Sequence, residues 1–235
     1  GSIQCETPAL DHGRYTVSVT SETDTHADGG VIFAAVHAPS LRRVVPSSCP
    51  ISGCNPVRLH GNNFPTDTTL YCLFQKGSKT AGESATLVEK VPARFLSRSV
   101  VTCVPPKGEL SGEVKVSVIS AEGAMQSNAM AFTYYLTHDV TGMYPLGGPV
   151  HGNTMVTLTG NNFFVSASAF CRFGSSWVPA IFANATAFKC RSPVHEAGAV
   201  VMALTLNGAD FVGVKKSFTF RPGPVVLSIS PEFGS

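Results

Sequence analysis

Charge is scarce in this chain. Only 14% of its 235 residues are charged, and the net charge is +2. The basic residues gather only as the isolated pairs Arg42-Arg43 and Lys215-Lys216, whereas a nucleic-acid surface needs a basic stripe or patch. Long apolar runs are missing too: nothing approaches the roughly 18 consecutive apolar residues of a membrane-crossing helix. No segment reads as a secretory leader, and no stretch sustains a helical period. H-E-x-x-H, G-x-S-x-G and P-loop patterns are all absent. The seven histidines, His12, His26, His37, His60, His138, His151 and His195, stand apart from any nucleophile. A catalytic imidazole needs an orienting partner, so turn or surface roles are expected of them. Nothing here points to an enzyme or a cofactor. Against so little charge stands 43% hydrophobic content, enough to build a core and too much for a disordered segment.

What the chain does have is a repeat, the first thing to look for in such a sequence. "LHGNNF" at 59–64 returns as "LTGNNF" at 158–163, ninety-nine residues later. "YCLF" (71–74) matches "FCRF" (170–173), "TCVPP" (102–106) matches "KCRSP" (189–193), and "SGEVKVSV" (111–118) matches "AGAVVMAL" (197–204). "MAFTYY" (130–135) matches "KSFTFR" (216–221). A partial copy stands in front, in "QCETP", "HGRYTVSV" and "VIFAAV". The expected organisation is the C-terminal half of a unit at 1–40, whole units at 41–136 and 137–222, and the start of another at 223–235. The opening "GSIQCETP" does not read as a natural beginning, so the chain is expected to be a piece of something longer. Segments such as "VTLTG" and "VKVSV" alternate at period two, with Gly and Pro punctuating every 8–12 residues, as strands and turns do. Seven or so short strands per unit predict a two-sheet sandwich. In "GNNF", Gly and Asn accept positive φ and suit a turn or bulge, with Phe64 and Phe163 turned inward.

Seven cysteines fall into this frame. The repeat pairs Cys72 with Cys103 and Cys171 with Cys190. Cys49 and Cys54 bracket "PISG", a loop tight enough to close on itself. Cys5 aligns with Cys103 and Cys190 and is left unpaired through truncation. Zinc wants close ligand pairs plus a second pair or His, and Cys49 and Cys54 lack one, so no metal site is expected. The polar stretch "SETDTHADGG" carries Glu22, Asp24 and Asp28 but lacks the Gly and Glu of a calcium loop. Disulfides of this kind last only in oxidising compartments. Asn184, in "NAT", is the one N-x-S/T sequon and reads as a glycan acceptor.

From Tyr144-Pro145-Leu146-Gly147-Gly148 through Phe163, then Cys171–Gly174, Cys190–Pro193 and Leu206-Asn207-Gly208, the last full unit resembles an IPT/TIG domain. That family occurs in plexins, hepatocyte-growth-factor-type receptors, fibrocystin-like surface proteins and some transcription factors. The unit at 41–136 matches less fully, with "PSSCPISGCNPVRLHGNNF" putting a cysteine-bracketed loop where Gly-Gly is usual. The front half unit matches in position and pattern only. The resemblance implies an all-β chain of tandem immunoglobulin-like (E-set) sandwiches in a rod-like array. It also implies one of two settings, an intracellular DNA-binding one or a cell-surface one. The cysteine pairs, the sequon and the weak charge favour the surface.

Two features are candidates for contact with other molecules. The cysteine-to-cysteine span is 31 residues in one unit and 19 in the next. The extra length falls near "KGSKTAGESATL" (76–87), so Lys76, Lys79 and Glu83 are candidate contacts on an inserted loop, the sort of place where binding residues gather. Trp177, the single tryptophan, is a candidate glycan contact, although one ring makes a weak platform and packing beside "VPA" is the plainer expectation. The function expected is a non-enzymatic segment of a large secreted or cell-surface glycoprotein. It would act as a disulfide-stabilised adhesion stalk binding protein partners or its neighbours in a fibre, in the extracellular space. The alternatives are an accessory carbohydrate-binding module of a glycan-active enzyme, and a DNA-binding TIG domain with free thiols.

Overall fold

A computed structural model of the chain describes residues 4–11, 13–19, 30–76, 88–109, 111–224 and 227–230. Among these residues every regular element is a strand. A hairpin comes first, of β1 (Gly13–Val17) and β2 (Val31–Ala35). Eight strands then make one sandwich: β3 (Ser40–Val45), β4 (Ser48–Pro50), β5 (Val57–Asn62), β6 (Leu70–Gln75), β7 (Val88–Ser97), β8 (Val100–Cys103), β9 (Gly112–Ser120) and β10 (Met130–Tyr135). Eight more make the next: β11 (Asp139–Tyr144), β12 (Gly147–Pro149), β13 (Met155–Asn161), β14 (Phe170–Phe173), β15 (Ser176–Asn184), β16 (Ala187–Arg191), β17 (Gly198–Thr205) and β18 (Phe211–Arg221).

The two sandwiches share one topology. The order β3-β5-β8-β7-β6-β9-β10-β4 is repeated as β11-β13-β16-β15-β14-β17-β18-β12. The long strands β7 and β15 belong to both layers. Val88–Ala93 of β7 pair with β6, and Ala93–Ser97 pair with β8. Likewise 176–179 of β15 pair with β14, and 180–184 with β16. Each continuous ladder therefore folds into two layers over a core. One core is built on Val57, Leu59, Phe74, Val101, Val116 and Phe132, the other on Val156, Leu158, Phe173, Phe188, Leu204 and Phe218. Each unit has eight strands where the turn spacing suggests about seven. The difference is the short β4 and β12, where the chain leaves the first strand, changes layer and runs parallel to the last strand. Hairpin β1–β2 keeps the same register. Gly13 faces Ala35 and Val17 faces Val31, as Gly112 faces Tyr134 and Val116 faces Met130 in β9–β10.

"GNNF" has the same job in both sandwiches. Its glycine does not serve a positive φ, the role sequence reasoning gives it. A β-carbon on Gly61 would run into the Ser40 carbonyl and the Phe64 ring, and one on Gly160 into the Asp139 carbonyl and the Phe163 ring. The positive φ belongs to the second asparagine, 58° at Asn63 and 60° at Asn162, a conformation asparagine tolerates better than most residues. The turn brings Phe64 and Phe163 inward, where both are buried. Burying such a ring contributes about 1.5–3 kcal/mol. Backbone bonds hold the turn in place: Gly61 N and Phe64 N donate to the Ser99 and Arg98 carbonyls, and Gly160 N and Phe163 N to those of Thr186 and Ala185.

Gly160→Ala is expected to cost about 1–3 kcal/mol through overpacking against backbone that cannot move aside. Asn162→Ala is expected to cost about 1–2 kcal/mol through left-handed strain on top of its lost bond to Thr137, and Asn162→Gly less, since it loses only that bond. Urea unfolding of the three variants checks this ranking, and a Gly160→Ala protein as stable as wild type would overturn the close-approach explanation.

Candidate functional site

The most heavily built feature between the sandwiches is the joint around residues 135–138. Tyr135 ends β10 of the first sandwich, yet its side chain packs into the core of the second. Its ring lies 5.0 Å from Phe164 and 6.1 Å from His138, whose ring is 6.3 Å from Phe163. Thr137 is held from both sides. Its hydroxyl donates to Ser52 at 2.8 Å, and its carbonyl accepts from the Asn162 amide at 2.8 Å. "GNNF" thus does more than plug a core: its second asparagine ties down the incoming chain. Asn63 bonds Ala38 O in the same way, at 3.5 Å.

Side chains of the β17–β18 turn reach back to the first sandwich. The Asn207 amide donates to Ser48 O at 2.9 Å and to Asp210 at 2.8 Å. Asp210 accepts from Asn55 N at 2.9 Å and from the Asn55 amide at 2.7 Å. Ser48 and Asn55 are the two residues that flank the loop closed by a Cys49–Cys54 disulfide, Cα atoms 5.7 Å apart. The loop standing where Gly-Gly is usual therefore forms half of an inter-unit contact. Sequence reasoning found the loop but not its use, because Asn207 and Asp210 lie more than 150 residues away and no local pattern links them.

Burial decides the chemistry inside the joint. His138 is 2% exposed, and neither ring nitrogen has a hydrogen-bond partner. Burial pulls its pKa below the ordinary imidazole value, while the charges of Asp139 and Asp210 oppose the shift without cancelling it. The Tyr135 hydroxyl is also buried without a partner. Burial, followed by the nearby Asp210 charge, pushes its pKa up. Both groups are held neutral, as an apolar seam requires.

The remaining candidate residues are dispersed. Cys72 is joined to Cys103 and Cys171 to Cys190, with Cα separations of 6.5 and 6.3 Å, linking β6 to β8 and β14 to β16 across each core. Cys5 is free and exposed. Asn184 is exposed at the end of β15, and its side-chain oxygen accepts from both Thr186 N and the Thr186 hydroxyl at 2.9 Å. Lys76 rims a small recess beside Phe74, Glu89 and Tyr134. Lys79 and Glu83, like Glu22, Asp24 and Asp28, lie outside the described residues. Among the described residues no three His, Cys, Asp or Glu side chains gather as a metal site would require, and no helix is long and apolar enough to cross a membrane. Trp177 is half exposed, and it is not alone. Phe211 meets it edge-on at 4.6 Å, and Phe170 lies 6.4 Å away.

Comparison with known proteins agrees with this architecture. The IPT/TIG domain family model matches residues 39–134 and 139–220. The chain is 26% identical over 201 residues to Plexin-2 of Caenorhabditis briggsae, covering 84% of this chain and 11% of that protein. It is 23% identical over 201 residues to Plexin-A4 of Mus musculus, covering 83% and 10%. The chain thus spans about a tenth of the length of these curated relatives. The solved full extracellular region of plexin A4 superposes with a TM-score of 0.47 at 16% identity, covering 90% of this chain and 18% of that one.

The joint carries a pH signature. The unfolded imidazole titrates near 6.5 and the folded one lower, so below about pH 6.5 the unfolded state binds the extra proton. Stability is expected to fall as pH drops from about 6.5 toward the folded pKa, by at most about 1.4 kcal/mol per pH unit. Unfolding measured from pH 7.5 to 5 should show this slope, and His138→Phe should reduce it. An unchanged slope in the variant would assign it to other groups.

Proposed function

This chain belongs to the IPT/TIG domain family, and from that membership we propose that it is a non-enzymatic segment of a larger cell-surface or secreted glycoprotein, a disulfide-stapled stalk for protein–protein contact. Its setting is extracellular or at the cell surface, in keeping with its plexin relatives and its three disulfides. We place the unit boundaries at 1–40, 41–136, 137–222 and 223–235, with the 136–138 linker absorbed into the joint. The observation that carries the stalk reading is that joint. Tyr135 is buried in its neighbour's core, and the turn at 207–210 grips Ser48 and Asn55, which flank the Cys49–Cys54 loop. A covalently closed loop is a firmer seat than an open one, since its ring has fewer conformations to lose on contact. Orientation held in this way lets a stalk position whatever it carries. Asn184 is the glycan acceptor in this reading: it is exposed, with its sequon threonine bonded to it.

Two measurements test the proposal. Non-reducing peptide mapping of the secreted protein should find the Cys72–Cys103, Cys171–Cys190 and Cys49–Cys54 peptides and a glycan on Asn184. Free thiols throughout would sink it. Separately, Asp210→Ala should widen the distribution of inter-unit distances in X-ray scattering while barely moving the melting temperature, because its bonds to Asn55 are exposed and exposed polar contacts contribute only about 0–1 kcal/mol each. An unaltered scattering profile would show that the orientation does not depend on this turn.

A further inference from the structure

The outer face of the sheet formed by β15, β14, β17 and β18 carries an aromatic and cationic cluster that no single stretch of sequence contains. One cross-strand row runs Trp177, Arg172, Ala203, Gly213, and the next runs Pro179, Phe170, Thr205, Phe211. Their neighbours Cys171, Phe173 and Leu204 turn inward to the core. The Arg172 guanidinium lies over the Phe211 ring at 4.7 Å, and Trp177 meets the same ring from its other neighbourhood at 4.6 Å. Small residues lie between them. Ala203 and Thr205 face outward yet are fully covered, and a β-carbon on Gly213 would meet nothing within 4 Å. The large side chains therefore lie across the sheet and form a walled surface.

The charge on this face is of one sign. Among the described residues Arg172 has an aromatic partner and no carboxylate. Lys215 and Lys216 stand exposed on β18 just beyond Gly213, where the register with β17 slips. The acid that adjoins Phe211 is Asp210, and both its oxygens are engaged, one by Asn55 and the other by Asn207. A guanidinium over a ring face has no acceptor there, so its N–H groups stay available to a carboxylate. Stacking has already fixed its rotamer, so little further side-chain entropy is lost on binding. Trp and Arg side by side are also the residue types that dominate binding energy at protein interfaces.

We propose that this face, centred on Arg172, Trp177 and Phe211, docks a protein segment that presents a carboxylate beside an apolar or aromatic side chain. The proposal rests on the reading of the chain as an extracellular protein-contact segment and names the surface that reading leaves open. Charge complementarity selects an acidic partner, and the exposed Trp177 ring with the half-buried Phe211 beside it selects the apolar neighbour of the acid.

Trp177 is the only tryptophan, so its fluorescence reports from inside the patch. The whole chain is titrated with a library of twelve-residue peptides carrying Glu-Phe, Asp-Leu and similar pairs, alongside counterparts with Lys in place of each acid. Some acidic members are expected to shift the emission, with affinity falling at high salt as exposed charge pairs are screened. Arg172→Ala is expected to weaken that binding at least about tenfold, in the range of interface anchors. The surface double variant Lys215→Glu with Lys216→Glu, which touches no core position, is expected to weaken it as well. Arg172→Glu is expected to shift preference toward the Lys-bearing peptides. The proposal is overturned if no acidic peptide binds, if both variants bind as wild type does, or if only a heparin oligosaccharide binds through Arg172. If disulfide mapping finds the three bridges while no peptide binds, the patch is discarded and the stalk reading stands. Free thiols would remove the stalk reading whatever the peptides do.

Discussion

At Gly160 the carbonyl oxygen of Asp139 occupies the space where any other residue would keep its β-carbon, and Ser40 does the same at Gly61. That close approach fixes where β3 lies against β5 and β11 against β13. From there the arrangement spreads outward. The turn that follows puts a phenylalanine into the core and an asparagine amide onto the incoming chain. The anchored chain carries Tyr135 and His138 into the seam. Core, turn and joint are thus one construction, organised around a missing methyl group.

Period-two alternation, regular turn residues and the repeat make the all-β tandem sandwich architecture legible in the sequence itself, and the family match agrees with it. "GNNF" was legible as a structural signature, but the reason for its glycine was not. Steric exclusion by a carbonyl about twenty residues upstream leaves no local trace, whereas a turn residue's φ preference does. β4 and β12 were invisible for a related reason. Three-residue strands carry no periodicity, and they form only because the last strand offers a free edge. The aromatic face shows the limit most plainly. Phe170, Arg172, Trp177 and Phe211 lie on three strands, and only the cross-strand register sets them on one surface. Read along the chain, Trp177 is a lone ring.

The two sandwiches treat their outer faces alike in one respect. In the first, the Lys90 ammonium sits 4.2 Å from the centre of the Tyr71 ring, and Tyr71 and Lys90 stand at the ladder positions that Phe170 and Trp177 take in the second. A cation over an exposed ring is worth about 0.5–1 kcal/mol at such sites. In the first unit that pairing satisfies the lysine locally. The second replaces the lysine with Trp177 and moves the cation to Arg172, so the same scaffold position shifts from a closed pair to an open surface.

The parallel pairing of β4 with β10, and of β12 with β18, bears on how the chain responds to tension. Ile51 N bonds Tyr135 O and Thr133 N bonds Ser47 O. Val150 N bonds Arg221 O and Thr219 N bonds Leu146 O in the same pattern. Because β4 and β12 run side by side with the leaving strands in one direction, pulling on the two ends loads these bonds together in shear instead of opening them one after another. Should they give way, the cross-core disulfides still keep 31 residues of one unit and 19 of the other from being drawn out. Each sandwich is therefore a mechanical link with a stiff latch at its ends and a limit stop inside.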